Sequence, residues 1–161
     1  MSKVAVYPGS FDPFTRGHMN IIDRGIKVFD KVIVAVAHNK SKNTIFTLEE
    51  RVQILQTLFE GRKDVEVDSF EGLLVDYVVK RGTNVVLRGM RTVSDFEYEL
   101  QMALANKTLN NEVETVFMVT DSEFSHISSS VIKEVVSLNG SASHMVPDIV
   151  ESKLRDKLLN S

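Results

Sequence analysis

Four short stretches of the 161-residue chain combine residue types that suit phosphate chemistry. The first, Gly9-Ser10-Phe11-Asp12-Pro13-Phe14-Thr15-Arg16-Gly17-His18, has small residues that let backbone approach a ligand and leads toward a helix start. Free amides and partial positive charge there favour an anion. The second, His38-Asn39-Lys40-Ser41-Lys42-Asn43-Thr44, is polar and basic, and Lys42 could set one ammonium against a phosphate. In Leu87-Arg88-Gly89-Met90-Arg91, two guanidinium forks that match phosphate oxygens flank a glycine. The fourth, Phe124-Ser125-His126-Ile127-Ser128-Ser129-Ser130, offers hydroxyls and amides together at a helix start.

Each stretch also has a plainer explanation. Asp12-Pro13 suits an Asx turn, and His18 suits the first turn of a helix. The lysines suit a solvated loop and the serines suit redundant N-caps, while a structural role for Arg88 and Arg91 stands level with a functional one. What favours function is that all four fall on one predicted edge of one sheet.

Composition narrows the choices. With 43% hydrophobic and 25% charged residues, the chain has the make-up of an ordinary globular protein and the length of a single domain, residues 1–161. Nineteen basic against 22 acidic residues give a net charge of -3, so no general positive field attracts nucleic acid and phosphate must be met locally. No cysteine is present, which excludes disulfides and thiolate chemistry and fits a reducing cytoplasm. No signal-like apolar core and no 18-residue apolar span occurs, so neither secretion nor membrane insertion is expected. Gly-x-Gly-x-x-Gly and Gly-x4-Gly-Lys-Ser/Thr are both missing, which argues against ordinary dinucleotide binding and P-loop hydrolysis.

The elements that must position these stretches alternate. Val4–Tyr7, Val32–Ala37, Val65–Val67, Val85–Leu87 and Thr115–Val119 are short, largely β-branched runs suited to buried parallel strands. Between them, Met19, Ile22, Ile26 and Phe29, then Leu48, Val52, Leu55 and Phe59, recur at helical steps. Leu73–Arg81, ended by Gly82, Ser130–Leu138 and Pro147–Leu159 complete the helices. Thr47 with Glu50 and Ser94 with Glu97 have capping-box spacing. This alternation predicts a doubly wound α/β fold with a five-stranded parallel sheet, in which ligands bind beyond the carboxyl ends of the strands.

The helix near Ser94 has two apolar arcs, Phe96, Leu100, Ala103 and Leu104 against Tyr98, Met102, Ala105 and Leu109. One arc can meet the sheet. The other requires a neighbouring subunit or a further layer of the same chain.

Thr15-x-Gly17-His18 and Ile127-Ser128-Ser129-Ser130 resemble the paired signatures of the nucleotidyltransferase superfamily related to class I aminoacyl-tRNA synthetases. More narrowly, Tyr7-Pro8-Gly9-Ser10-Phe11-Asp12-Pro13, Phe46-Thr47-Leu48-Glu49-Glu50-Arg51, Arg88-Gly89-Met90-Arg91 and Asp95-Phe96-Glu97-Tyr98-Glu99 resemble the bacterial phosphopantetheine adenylyltransferases over essentially the whole chain. That resemblance implies a Rossmann-like nucleotidyltransferase fold. It also implies adenylyl transfer from ATP to 4'-phosphopantetheine, the penultimate step of coenzyme A biosynthesis, giving dephospho-coenzyme A and pyrophosphate. Magnesium with unassigned ligands, a cytoplasmic homohexamer and coenzyme A as a candidate feedback inhibitor follow from the same source.

Carried over by position, the resemblance implies that His18 stabilises the transition state, with Lys42 and Arg91 as the other catalytic groups. It sets Ser10, Phe11, His18, Gly89, Met90, Arg91, Glu99, Phe124, Ser125, His126, Ile127, Ser128, Ser129 and Ser130 around ATP. Ser10, Lys42, Leu74 and Arg88 fall to the acceptor. Threonine often stands in relatives at Ser10, tryptophan at Phe124, and arginine in the wider superfamily at Lys133. Another superfamily member with a cytidine nucleotide or nicotinate mononucleotide acceptor, and a nucleotide-binding module without chemistry, are the alternatives. The intact His18 and serine loop weigh against the module.

Overall fold

The computed structural model describes residues 1–160. Five parallel strands, β1 (Val4–Gly9), β2 (Lys31–Ala37), β3 (Val65–Phe70), β4 (Val85–Met90) and β5 (Glu114–Val119), form one sheet in the order β3-β2-β1-β4-β5. The chain starts in the middle, winds outward through β2 and β3, then returns beside β1 and winds the other way. The reversal falls between β1 and β4, so the loops leaving those strands diverge and open a crevice.

β1 and β2 are central because they are apolar on both faces. Tyr7, Val34 and Val36 belong to a core beneath α1 (Arg16–Gly25), α2 (Leu48–Leu58), α5 (Ser129–Ser137) and α6 (Asp148–Leu159). Val6, Ile33 and Ala35 point the other way, into a smaller core with Val75 and Val78 of α3 (Leu74–Lys80). A period of two in a continuously apolar run feeds both layers at once.

Helix ends follow local chemistry, with some departures from expectation. Thr47 and Glu50 close the expected capping box, and Gly82, at φ +73°, ends α3. Ser94 caps nothing: α4 (Val93–Leu109) begins one residue earlier, and Thr92 accepts the Asp95 amide instead. α1 stops at Gly25, so Ile26 is its cap and Phe29 belongs to the following turn. β4 extends to Met90, which sets Arg88 inside the strand end.

The larger departure concerns α4. Neither apolar arc is buried: Leu104 is 59% and Tyr98 61% exposed, and Glu99 is the helix's buried residue. β5 beside it also leaves Val119 exposed. Among the described residues, then, one flank of the sheet carries apolar side chains with no covering layer.

Candidate active site

The loop from β1 to α1 is built largely from its own sequence. Thr15 is the N-cap of α1 and accepts the His18 amide on Oγ1 at 3.2 Å, while its own amide donates to His18 Nδ1 at 3.0 Å. This is a capping box in which imidazole takes the place usually held by Glu or Gln. Because Nδ1 accepts, the proton of the neutral ring resides on Nε2, making that atom a donor. Burial, with Arg88 and Arg91 nearby, pulls the His18 pKa down to about 3, so the ring is neutral at physiological pH.

Phe11 and Phe14 flank the imidazole, with centroids 5.0 and 5.5 Å away. Phe11 has φ +49°, in the left-handed region, and its ring lies so close to Gly9 that a Cβ there would stand 3.0 Å from it. Glycine at position 9 is what admits the ring. The expected local Asx turn at Asp12 is replaced by longer reach: its carboxylate accepts the amides of Ile45 and Phe46, both at 2.9 Å.

At the end of β4, Arg88 donates through Nε and Nη2 to both Glu99 oxygens, at 2.8 and 2.5 Å, and through Nη1 to the Pro8 carbonyl at 2.6 Å. Two of its five N–H groups stay available. Burial opposes its charge, but Glu99 more than offsets this and the guanidinium pKa is raised. Arg91 pairs with Asp95 at 3.2 Å and donates to the Ile127 carbonyl, joining β4 to the serine loop. Gly89 is tight for a packing reason, since a Cβ would lie 2.8 Å from Ile21 Cγ1 of α1.

Two adjoining cavities result. One, of about 370 Å³, is lined by residues that include Ser10, His18, Arg91 and Ser128–Ser130. The other, of about 380 Å³, runs toward Leu74, Tyr98, Met102 and Asn106. Both are bordered by Pro8, Gly9, Ser10, Lys42, Arg88 and Glu99, so those six form the boundary, and the last four bring the side-chain polar groups to it. Of the cations around the first cavity, Arg88, Arg91 and Lys133 each hold a carboxylate. Lys42 has no carboxylate partner among the described residues and donates to Ser10 Oγ at 3.0 Å. An incoming phosphate thus meets oriented, partly neutralised guanidinium groups and one uncommitted ammonium.

Residues 6–135 match the cytidylyltransferase-like family model. The phosphopantetheine adenylyltransferase of Geobacter metallireducens is 52% identical over 155 residues, 96% of this chain and 95% of the relative. The corresponding protein of Maridesulfovibrio salexigens is 53% identical over 155 residues, 96% and 93% respectively. The chain belongs to the phosphopantetheine adenylyltransferase family. A solved structure described as a nicotinate-nucleotide adenylyltransferase of Vibrio parahaemolyticus superposes with a TM-score of 0.70, at 14% identity and over 96% and 99% of the two chains, and bears on the fold.

Against that family assignment, the residues singled out from sequence divide into two groups. Ser10, Phe11, His18, Lys42, Arg88, Gly89, Arg91, Glu99 and Ser128–Ser130 line the first cavity, and Leu74 lines the second. Met90, Phe124, Ser125, His126 and Ile127 line neither. Ile127 is buried, and its carbonyl orients Arg91; Phe124 packs against the main core; His126 is exposed; Ser125 Oγ turns back to the Ser122 carbonyl.

Sequence reasoning missed the Arg88–Glu99 pair, the imidazole cap, and Arg51, which is buried beneath the loops. The Thr15/His18 spacing of three was a usable signal for the cap. Nothing local signals that Arg51 reaches Ser10, 41 residues away.

Proposed function

We propose that this chain transfers the adenylyl group of ATP to 4'-phosphopantetheine, releasing dephospho-coenzyme A and pyrophosphate. The observation that carries this is the meeting of two cavities at Ser10, Lys42 and Arg88, with His18 on one side only. Such a boundary suits two phosphates brought together. The nucleotide phosphates fit the cavity with the serine loop, Arg91 and His18. The acceptor arm fits the cavity with Leu74, Tyr98 and Met102, its phosphate toward Lys42 and Arg88.

An oxygen of the acceptor phosphate attacks the α-phosphorus, and the bond to the bridging oxygen of the pyrophosphate breaks. The acceptor is ionised near neutral pH, so neither a general base nor a covalent intermediate is needed. What remains is alignment and stabilisation of equatorial negative charge. Nε2–H of His18, the free N–H groups of Arg91 and the ammonium of Lys42 supply that stabilisation. A neutral imidazole acts here as hydrogen-bond donor, and no proton transfer is asked of it.

Among the described residues no three His, Cys, Asp or Glu side chains group to hold a metal. The nearby acids Asp12, Asp95 and Glu99 are engaged with Lys133, Arg91 and Arg88. The side chains therefore do not fit a resident magnesium ion, and magnesium belongs to the proposal as a companion of substrate phosphate oxygens.

The uncovered apolar faces of α4 and β5 support a homo-oligomer, with six copies the number the family resemblance gives. Tyr98, Met102 and Asn106 line the acceptor cavity from α4, so a neighbour covering this helix would also firm that wall. The chain is proposed to act as one nucleotidyltransferase domain in the cytoplasm; no helix among the described residues is long and apolar enough to cross a membrane. Coenzyme A, which shares the pantetheine arm, is a candidate feedback ligand of the same cavity.

The test is incubation with ATP, magnesium and 4'-phosphopantetheine, with nicotinate mononucleotide as comparison acceptor, followed by mass analysis. Dephospho-coenzyme A with equimolar pyrophosphate is expected. Nucleotide transfer to nicotinate mononucleotide in its place would refute the assignment.

A further inference from the structure

Beside the first cavity, which Asp12 lines and Arg51 does not, are two buried, oppositely charged side chains to which the proposed reaction gives no role. Asp12 is 5% and Arg51 3% exposed. Asp12 accepts the Ile45 amide on Oδ2 and the Phe46 amide on Oδ1, both at 2.9 Å, and its Oδ2 also receives Lys133 Nζ at 3.1 Å. Arg51 donates from Nη1 to the Ser10 carbonyl at 2.8 Å and the Ala37 carbonyl at 3.2 Å, and from Nε to the Thr47 carbonyl at 3.3 Å. Burial pulls the Arg51 pKa below its usual value and Asp12 opposes that pull, but a guanidinium keeps its proton throughout.

The placement of these bonds along the chain is informative. The segment carrying Lys42 leaves β2 at Ala37 and enters α2 after Phe46. Its start is pinned by Arg51 through Ala37, and its end is pinned by Asp12 through Ile45 and Phe46. Both pins are anchored in the β1–α1 loop, since Arg51 also grips Ser10 and Asp12 belongs to that loop. Between the pins, residues 39–43 are exposed and keep a local turn, in which the Lys42 amide donates to the Asn39 carbonyl at 3.1 Å and Ser41 donates to Asn39 Oδ1, and one outward tie, from Lys40 Nζ to Glu71 Oε1 at 2.9 Å. A free loop of this length would spread its lysine over many positions. Tied at both ends to the loop that holds Ser10 and His18, it delivers Lys42 to Ser10 Oγ, on the boundary of the cavities.

We infer that Asp12 and Arg51 are positioning residues that set Lys42 at the junction of the two substrates, acting through the backbone of residues 37–46. The inference rests on the proposed role of Lys42 at the acceptor phosphate. Asp12→Asn is nearly isosteric, yet it replaces an acceptor oxygen with an NH2 group that faces backbone N–H donors. The second variant, Arg51→Lys, retains charge but loses the fork that spans three carbonyls.

The experiment is a double-mutant cycle on the full-length enzyme, with KM for 4'-phosphopantetheine and for ATP read separately and folding checked by thermal melt. Misplacing a group by an ångström costs up to roughly 100-fold. Asp12→Asn and Arg51→Lys are each expected to raise the acceptor KM by roughly 10-fold or more while moving the ATP KM less. In a Lys42→Ala background, either change should add little, because the group being positioned is already gone.

If Lys42→Ala raises the acceptor KM and the other changes multiply on top of it, the positioning role is wrong while the function stands. If Lys42→Ala leaves the acceptor KM unchanged, the role of Lys42 fails and this inference fails with it. Should Asp12→Asn not fold, Arg51→Lys alone completes the cycle, and the same two outcomes decide.

Discussion

The two loops that meet at the proposed reaction centre are built in opposite ways. Residues 11–15 are buried throughout, with Phe11 and Phe14 packed on His18 and Thr15 bonded to it from two atoms. Residues 39–43 are exposed, and Lys42 reaches inward from them to a single hydroxyl. The difference matches what each loop presents. A neutral donor must be aimed, because a hydrogen bond weakens steeply with angle. An ammonium carries three donors and a charge with little angular preference, so it must be placed but need not be turned, and pins at the two ends of its loop are enough. The costly construction, with a phenylalanine in the left-handed region, is spent on the group that needs direction.

The strongest break of that comparison is at His18. His18→Ala should lower kcat by roughly 10²- to 10³-fold, the usual consequence of losing one preorganised donor, and should also cost about 1 kcal/mol of stability, because the Thr15 amide loses its acceptor while the Thr15 cap itself remains. His18→Gln separates the two effects. Glutamine at the third helical position can accept the Thr15 amide as imidazole does, so stability should recover while kcat stays low. Steady-state kinetics beside thermal melts would read both; near-normal turnover in either folded variant would remove His18 from the chemistry.

Arg88 sharpens the comparison, since it is aimed and charged at once. Its side chain is gripped by Glu99 on two atoms and by Pro8 on a third, which leaves N–H groups at the boundary of the cavities. Arg88→Ala should weaken 4'-phosphopantetheine binding by roughly 10- to 100-fold, the range of a lost hydrogen bond to a charged group, and ATP binding by less. Calorimetry with each substrate reports the ratio. Adding Glu99→Gln relieves the carboxylate left without its partner and should restore part of the lost thermal stability without restoring acceptor affinity.

Much of this arrangement was legible in the sequence where interactions are local. The apolar runs of β1 and β2 predict central strands, and Thr47 with Glu50 predicts a helix start, because side chains a few residues apart settle those features. The failures share a cause. Ser94 has the spacing of a cap, yet Thr92 takes the role, since two hydroxyl residues two positions apart compete and packing of the whole helix decides. The arcs of α4 are both visible in the sequence, but which one meets the sheet depends on layers that no single helix specifies; neither is buried in the chain. Within the site, residue types at strand ends pointed to the cavity, whereas Asp12, Arg51 and the Glu99 grip on Arg88 depend on contacts across 11 to 41 residues.

The smallest expected effect tests whether the first loop truly holds its imidazole neutral. In the unfolded chain His18 takes up a proton near pH 6.5, whereas in the fold it does so only at about 3. Between those values the unfolded state binds more protons than the native state, so stability is highest above pH 6.5 and falls as the solution is acidified. The loss from this one group between neutrality and pH 5 amounts to at most about 2 kcal/mol. Denaturant unfolding of the native chain and His18→Gln across that range should show a shallower slope for the variant, since glutamine does not titrate. Nitrogen NMR of the folded protein should find Nδ1 unprotonated and Nε2 protonated, with no inflection near pH 6.5. An imidazole titrating there would mean that the ring is solvated and mobile, and the contrast between a donor fixed in direction and a charge fixed only in place would vanish.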